Sequence, residues 1–258
     1  MNIITLTTDW HQRDYYIGAV KGKILSLCPN ARIVDIAHNI PPFHHQKAAF
    51  ILRNIWTHYP KGTVHIIGIQ AESKEKPLII QHSEQYFIMA DSGLAGMIFP
   101  DGPEEVYRIS SDNEETLFPV LDRFVPVACA LASGKKLKDI GQPAGELKTT
   151  HPVRPAIEEG FITGLVIYID SYGNVITNIT KDTFERVGEG RPFEIHPGTG
   201  SILYRITHLN KHYYETPPGD ILALFNSLDL LEIAIYHGNA GELLGLDINS
   251  TIRIIFKK

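Results

Sequence analysis

The sequence predicts an α/β protein with two domains: an N-terminal α/β domain with a mainly parallel sheet over residues 1–150, and a smaller all-β barrel or sandwich over residues 151–258. In the first part, short apolar runs alternate with segments whose apolar residues recur every three or four positions, a pattern typical of alternating strands and helices. In the second part this helical spacing mostly disappears. Short β-branched runs are separated there by turns rich in Gly, Pro and Asn, which favours an all-β unit.

The elements of the first part follow from apolar spacing and from breaker residues. After the first strand, apolar residues at 17, 20, 24 and 27 predict a helix that stops at Pro29. The run from Thr63 to Ile69 is apolar almost throughout, as expected of a strand covered on both faces. The same rules predict strands at 2–7, 32–37, 63–69, 78–81, 85–90 and 106–109, and helices at 14–28, 45–59 and 123–132, with a short one after Asp91-Ser92-Gly93.

The second part begins after His151-Pro152-Val153-Arg154-Pro155, which is typical of a linker. A short helix is expected to begin at Gly238-Asn239-Ala240. Strands are predicted at 162–169, 174–179, 192–196, 202–207, 221–225, 231–235 and 251–256.

Composition excludes several classes of function. The net charge of -5 argues against non-specific binding of nucleic acid, which needs a positive surface. No apolar run reaches the roughly 20 residues of a membrane span, and the first residues lack the features of a signal peptide, so we expect a cytoplasmic protein without a membrane partner. Cys28 and Cys129 lie among apolar residues of predicted helices and are expected to be buried free thiols.

The usual motifs for metals and nucleotides are missing. The chain has 12 histidines, but none has the spacing of a known metal motif, and no paired cysteines are present. There is no G-x-G-x-x-G, no Walker A loop and no G-x-S-x-G elbow. We therefore expect neither a metal nor a cofactor.

Three polar stretches could hold a ligand, and the first is Thr7 to Gly18. It follows the first predicted strand, and ligands of open α/β sheets bind beyond the carboxyl ends of strands. In this position the carboxylate of Asp9 can accept hydrogen bonds from two neighbouring hydroxyl groups, as on a ribose. Asp9 could equally serve only to cap the following helix.

The other two stretches lie in the predicted β domain. Residues 169–179 place an Asp, a Gly-Asn turn and a second Asn between apolar strands, and residues 226–242 contain Ser227 and the expected helix start. Each fits a ligand site. Each also fits a structural interpretation, a tight hairpin turn with Asn side chains bonded to backbone for the first and a turn with a helix N-cap for the second.

Taken together, these stretches resemble the family of S-adenosylmethionine (SAM) hydroxide adenosyltransferases, which are related to chlorinases and fluorinases that attack the same substrate. The resemblance covers nearly the whole chain and rests on the order and spacing of its pieces. These are Thr8-Asp9 with Asp14, Val34-Asp35-Ile36-Ala37-His38 before Pro41-Pro42, Pro60-x-Gly62-Thr63-Val64-His65, Asp91-Ser92-Gly93, Asp170…Gly173-Asn174…Thr177-Asn178-Ile179, and Asn226-Ser227…Gly238-Asn239-Ala240.

The resemblance implies a homotrimer whose ligand, SAM or adenosine, lies between the N-terminal domain of one subunit and the C-terminal domain of the next. It also implies a role for each matching position. Asp9 would hold the ribose hydroxyls, Asp14 and Tyr16 would lie near the methionine carboxylate, and Phe43 would lie against the ligand. Asp170 and Ser227 would bind the amino and carboxyl ends of methionine, and adenine would be contacted by Tyr172, Asn174 and the backbone near Ala240.

The resemblance is weakest at the groups that position the attacking water, which in the hydrolases of this family are thought to be an Asp, an Arg and a His. Gln70 stands in the place of the Asp, and Pro119 and Val120 replace the His and the following Gly. No Arg matches, and Lys74 and Lys76 are the nearest cations. Gln70 can orient a water molecule but cannot take its proton at pH 7, so Glu72 is the candidate substitute base.

The sequence thus predicts an enzyme that hydrolyses SAM to adenosine and methionine with an altered water site, with Gln70 and Glu72 as candidate catalytic residues. The alternatives are a family member that binds SAM or adenosine without turnover, a halogenase, and a structural trimer with an empty pocket. Retention of Asp9, Asp170, Asn174 and Ser227 argues against the last, because an empty pocket has no need of them.

Overall fold

The computed structural model describes residues 2–72, 77–109, 116–198 and 204–257. Its contacts divide the chain into two compact units, Met1–Pro152 and Val153–Lys258. None of the helices in the described ranges combines the length and the apolar character needed to cross a lipid bilayer.

Unit 1 is an α/β layer structure. Its sheet has the strand order β2-β1-β3-β5-β4-β6-β7. The strands are β1 (Ile3–Thr8), β2 (Arg32–Ala37), β3 (Val64–Gly68), β4 (Leu78–His82), β5 (Gln85–Met89), β6 (Glu105–Ile109) and β7 (Gly141–Pro143). The α-helices are α1 (Tyr15–Leu27), α2 (His45–Ile55), α3 (Leu94–Ile98) and α4 (Val125–Ala132).

Successive side chains of β3 enter two different hydrophobic cores. Ile66 packs in one core with residues of α1 and α4, whereas Ile67 packs in the other with residues of α2 and α3. The sheet is therefore covered on both faces, which explains why β3, apart from His65, is apolar without alternation. Cys28 and Cys129 are buried free thiols, as predicted.

The α/β class is confirmed, but the sheet of unit 1 is mixed rather than mainly parallel. β1 pairs in parallel with β2 and β3, and β3 pairs in parallel with β5, whereas β4 is antiparallel to both β5 and β6. The cause is the turn Ser83-Glu84, whose residues have φ of 48° and 59°. A link of two residues can join only antiparallel strands, and left-handed turns of this kind match the twist of a hairpin.

Unit 2 is built on a curled antiparallel sheet that forms a half-barrel around one large core, with a second, smaller hydrophobic cluster at Leu222, Leu224 and Ala234. The strand order is β11-β14-β9-β10-β13-β12, with β8 paired to β9. The strands are β8 (Ala156–Glu158), β9 (Phe161–Ile169), β10 (Val175–Thr180), β11 (Phe193–Pro197), β12 (Ile221–Phe225), β13 (Leu230–Ile235) and β14 (Thr251–Phe256). The helices are α5 (Lys181–Gly188) and α6 (Ala240–Leu244).

Three features of unit 2 differ from expectation, and the first is the short strand β8, which was not predicted. Helix α5 was not predicted either. It begins at Lys181 and is capped by Thr180, whose hydroxyl accepts a hydrogen bond from the Thr183 amide, and it buries Phe184. The strand predicted at 202–207 falls partly on residues outside the described ranges. Its described part contributes an isolated bridge between Ile206 and Ile195.

A buried histidine in β3 is expected to make the stability of the protein depend on pH. The ring of His65 lies between the Thr5 hydroxyl and Gln85 Oε1, 2.8 Å from each, and burial lowers its pKa to about 4. The unfolded chain binds a proton at this residue below about pH 6.5, whereas the folded chain does not until about pH 4. Stability is therefore lost as the pH falls through this window.

We expect His65 to account for a loss of about 2 kcal/mol in the free energy of unfolding between pH 7 and pH 5. Urea unfolding at both pH values would measure it. The matched variant His65→Gln keeps polar atoms but cannot titrate, so its pH dependence should be smaller than that of the wild type by this amount. Equal pH dependence in the two proteins would contradict the prediction.

Candidate functional site

In unit 1, the candidate residues gather at the carboxyl edge of the parallel strands. Asp9 directly follows β1, and Gln70 lies two residues beyond β3. The Asp9 amide donates to the Gly68 carbonyl at 3.3 Å, and Asp9 Oδ2 accepts a hydrogen bond from the Gln70 amide at 2.9 Å. Asp9 therefore does not cap α1, whose N-cap position is Asp14. Its other oxygen, Oδ1, has no hydrogen-bond partner in the described ranges and is free to accept.

Gln70 is fixed at both ends. Its backbone has φ of 46°, a left-handed conformation that is costly for a residue other than glycine and that often marks functional sites. Its side-chain Oε1 lies 2.9 Å from His45 Nε2, at the first residue of α2. Because an amide oxygen can only accept, the imidazole donates in this bond.

A second set of polar contacts fixes the end of β1. The hydroxyl of buried Thr8 lies 2.7 Å from His38 Nδ1, and His38 Nε2 lies 3.2 Å from Asp35. Lys21 pairs with the same carboxylate at 2.6 Å. Partial burial raises the pKa of Asp35, but the hydrogen bonds from Lys21 and His38 outweigh it and lower the pKa overall. The motif Asp35 to His38 thus supports the residue that precedes Asp9.

Aromatic side chains cover this edge of the sheet. The rings of Trp10, Tyr16 and Phe118 lie 5.3–5.6 Å apart, and Tyr15 lies 4.3 Å from Tyr16. The pKa of Tyr16 is raised, first by its hydrogen bond with Tyr15 and then by charges that include Asp14 and Glu72. Tyr16, Asp14 and Glu72 therefore belong to one electrostatic neighbourhood.

Asp14, Glu72 and Phe43 are all exposed to solvent. Asp14 Oδ2 accepts from the His11 amide at 3.1 Å. Phe43 is 75% exposed and has φ of 66°, which is unusual for an aromatic residue. Lys74 and Lys76 lie outside the described residues.

The predicted replacements near Phe118 make this region apolar. Pro119 and Val120 are buried at the start of a π-helical turn, Val120–Phe124. A Cβ added at Gly68 would lie 3.3 Å from the side chains of both Val120 and Thr8. The end of β3 is thus packed closely, and this wall presents no donor side chain at positions 119 and 120.

In unit 2, the turn between β9 and β10 is organised by Asp170. Its Oδ1 accepts from the amides of Tyr172 and Asn174 at 2.9 Å each, and its Oδ2 accepts from Asn174 Nδ2 at 3.1 Å. The predicted hairpin is confirmed, with Asn178 Oδ1 accepting from the Leu165 amide at 2.8 Å, but in the turn itself the side chain bonded to backbone is that of Asp170 rather than an asparagine. These bonds also hold Asp170, Tyr172 and Asn174 in fixed positions, as a binding site requires.

A second loop is locked onto this turn. The Gly241 amide donates to the Gly173 carbonyl at 2.9 Å, and a Cβ at Gly173 would lie 2.1 Å from Asn239 Oδ1. Asn239 caps α6 by accepting from the Glu242 amide at 3.0 Å, which confirms the predicted N-cap. Only glycine allows this approach at position 173, where φ is 81°.

The two loops border a cavity of about 600 Å³, within the range typical of small-molecule sites. Its lining is Asp170, Tyr172, Asn174, Tyr213, Ile235, Tyr236, His237 and Gly238. Three predicted residues, Asp170, Tyr172 and Asn174, are therefore brought together. Ser227 lies in an exposed turn and is not among the lining residues, and Ala240 is fully buried, so any contact with a ligand there would involve backbone.

The side of the cavity formed by Tyr213 was missed by sequence reasoning. The Tyr213 hydroxyl donates to Glu232 Oε1 at 2.6 Å, and Asn226 Nδ2 donates to Glu232 Oε2 at 3.0 Å. Glu232 is only 3% exposed. Burial raises the pKa of Tyr213, and Glu232 and Asp170 add to the effect. The cavity is thus bordered by the carboxylate of Asp170 and by aromatic rings, a combination suited to a ligand with a cationic group and a planar ring.

Tyr236 and His237 also line the cavity without having been predicted. Their rings lie 4.2 Å apart, and they directly precede Gly238-Asn239-Ala240. Proximity to that motif was a signal that could have identified them. The pairs His45–Gln70 and Tyr213–Glu232 had no such signal, because their members are far apart in the sequence.

Comparison with known proteins identifies the family to which this chain is similar. Residues 4–141 match the SAM hydroxide adenosyltransferase N-terminal domain, and residues 164–253 match the C-terminal domain. A curated (R)-S-adenosyl-L-methionine hydrolase of Methanocaldococcus jannaschii is 29% identical and aligns over 99% of this chain and 97% of its own length. A fluorinase of Actinopolyspora mzabensis is 24% identical over 73% of this chain and 75% of its own.

A solved structure shares the fold along nearly the whole chain. The crystal structure of an uncharacterized conserved protein from Thermotoga maritima is 26% identical, with a TM-score of 0.88, and covers 98% of this chain and 99% of that one.

Proposed function

Because the chain belongs to the SAM hydroxide adenosyltransferase family, we propose that it hydrolyses S-adenosyl-L-methionine to adenosine and L-methionine. The observation that carries this proposal is the alignment of a relative with that named activity over 99% of the chain. The free Oδ1 of Asp9, at the edge where α/β sheets bind ligands, supports it independently.

In the proposed reaction a water oxygen attacks C5′ of the ribose in line with the sulfur. A bond forms between that oxygen and C5′, and the C5′–S bond breaks with its electron pair remaining on sulfur. Methionine leaves as a neutral thioether, and one proton of the water passes to the solvent. The sulfonium is already a good leaving group, so the task of the protein is to position the water and the ribose.

The described contacts suit particular parts of the ligand. Asp9 would accept hydrogen bonds from the ribose hydroxyls through Oδ1, and Asp170 would pair with the methionine ammonium through its remaining acceptor capacity. Asn174 presents an amide to the adenine edge and Tyr172 a ring for stacking. Asp14, Tyr16, Phe43, Ser227 and the backbone near Ala240 are assigned to the remaining contacts by their positions in the family pattern.

Gln70 is proposed to contact the attacking water, with Glu72 as a second candidate. General acid–base help contributes roughly 100- to 10,000-fold to rate, so a site without a strong base is expected to turn over slowly. A protein that binds SAM or adenosine without turnover is the second candidate function. Gln70 and Pro119 favour it, because neither supplies a base.

We also propose a homotrimer acting in the cytoplasm, with SAM or adenosine as the small-molecule partner. Both expectations rest on the sequence and its resemblance to the family. Size-exclusion chromatography coupled to light scattering would test the assembly, since a trimer would have three times the chain mass of 28.9 kDa.

The decisive experiment incubates the purified protein with SAM in water labelled with heavy oxygen, with and without chloride. Equal amounts of adenosine and methionine, with label in the 5′ hydroxyl, would support hydrolysis at C5′. Thermal stabilisation by SAM without any product would replace this function with binding alone. A chlorinated nucleoside that requires chloride would identify a halogenase.

A further inference from the structure

We propose that His45 is a positioning residue for the attacking water and that it acts through the side chain of Gln70. This inference rests on the proposed function. Its basis is two hydrogen bonds that meet at Gln70. The backbone N–H of Gln70 donates to Asp9 Oδ2 at 2.9 Å, and His45 Nε2 donates to the side-chain oxygen of Gln70, Oε1, at 2.9 Å. His45 is half-buried and comes from a different element, the start of α2.

The two bonds together leave the Gln70 side chain little freedom. The first fixes its backbone in a left-handed conformation beside the carboxylate proposed to hold the ribose. The second fixes the far end of the side chain, because it holds Oε1 of the side-chain amide toward His45 and so places the NH₂ group on the other side. Without His45, the amide could rotate about its last torsion, which is broad and nearly two-fold for glutamine.

An amide in a fixed orientation can hold a water molecule in one place. Gln70 Oε1 has a second lone pair, and its NH₂ group has two donors, so it can bind a water by accepting, donating or both. The reaction still forms the O–C5′ bond, breaks the C5′–S bond onto sulfur and releases a proton to solvent. His45 changes no bond; it holds the amide that holds the nucleophile. Small misplacement of a nucleophile can cost about 100-fold in rate.

Three variants at position 45 separate positioning from a structural role. His45→Phe keeps a ring but removes the donor. His45→Gln places its amide nitrogen near the position of Nε2 and can restore the bond, whereas the shorter His45→Asn cannot reach. His44→Ala is the matched control, because the adjacent His44 is exposed and its side chain does not cap α2.

The expected result is a fall in kcat of about 30-fold for His45→Phe and His45→Asn, with KM for SAM changed by less than about 3-fold. His45→Gln should recover kcat to within about 3-fold of wild type, and His44→Ala should equal wild type. Thermal midpoints are measured alongside. If His45→Phe folds poorly, the comparison of Gln with Asn, both polar, carries the test.

Wild-type kcat in His45→Phe or His45→Asn would overturn the inference while leaving the proposed function intact. The inference would also be overturned if His45→Gln and His45→Asn lost kcat equally and in proportion to their lower thermal midpoints. That pattern would indicate that His45 only anchors α2. Wild-type protein that yields no adenosine would remove the proposed function and this inference together, and it is measured first.

Discussion

Asp9→Asn is expected to lower kcat/KM for SAM by about 100- to 10,000-fold. The asparagine oxygen can still accept from the Gln70 amide, as Oδ2 does at 2.9 Å, but the other atom becomes a donor instead of an acceptor. Two bonds from ribose hydroxyls to a charged acceptor are then lost, each contributing roughly 1.5–3 kcal/mol. Steady-state kinetics with chromatographic detection of adenosine would measure the change.

The matched control for this variant is Asp101→Asn, an exposed loop position of the same unit. It makes the same change of charge and should leave kcat/KM unaltered. A SAM analogue without the 2′-hydroxyl sharpens the test, because wild type and Asp9→Asn should differ less on it than on SAM. If kcat/KM of Asp9→Asn for SAM were within about 3-fold of the wild-type value, Asp9 would serve only to hold the loop at Gln70.

Asp170→Asn is expected to weaken binding of SAM by about 100-fold and binding of adenosine by much less. Adenosine has no ammonium group, so it does not need the charge that the substitution removes. The turn itself can survive, because the Oδ1 atom of the introduced asparagine can accept from the amides of Tyr172 and Asn174, and the Asn174 side-chain amide can rotate to accept from the new NH₂ group. Calorimetric titration with each ligand would measure the two affinities.

Asp247→Asn, at an exposed loop position of unit 2, is the control for this second change. It should bind both ligands as the wild type does. Equal losses for SAM and adenosine, together with a lower thermal midpoint, would instead assign Asp170 to the turn alone.

Candidate residues that lie close together in the sequence could be predicted as one site, whereas contacts between distant residues could not. Asp170, Tyr172 and Asn174 lie within one hairpin turn, so local pattern was enough to place them together, and the structure finds them around one cavity. Asp9 could be placed at a strand end but not next to Gln70, because their contact depends on the parallel pairing of β1 with β3. His45 and Tyr213 were missed, since nothing local distinguishes them from surface residues.

By itself, the sequence determined the elements whose signals are local, such as the apolar run of β3 and the helical spacing of α1. These signals come from burial, because the spacing of apolar residues along a strand or a helix depends only on which faces of that one element are buried. Only the tertiary structure decided the reversal at Ser83-Glu84, which lacks the usual Asn-Gly signal, and the approach of His45 to Gln70. Both depend on which strands pair and how helices pack on them, and a hydrogen bond between distant residues leaves no periodic trace in either segment.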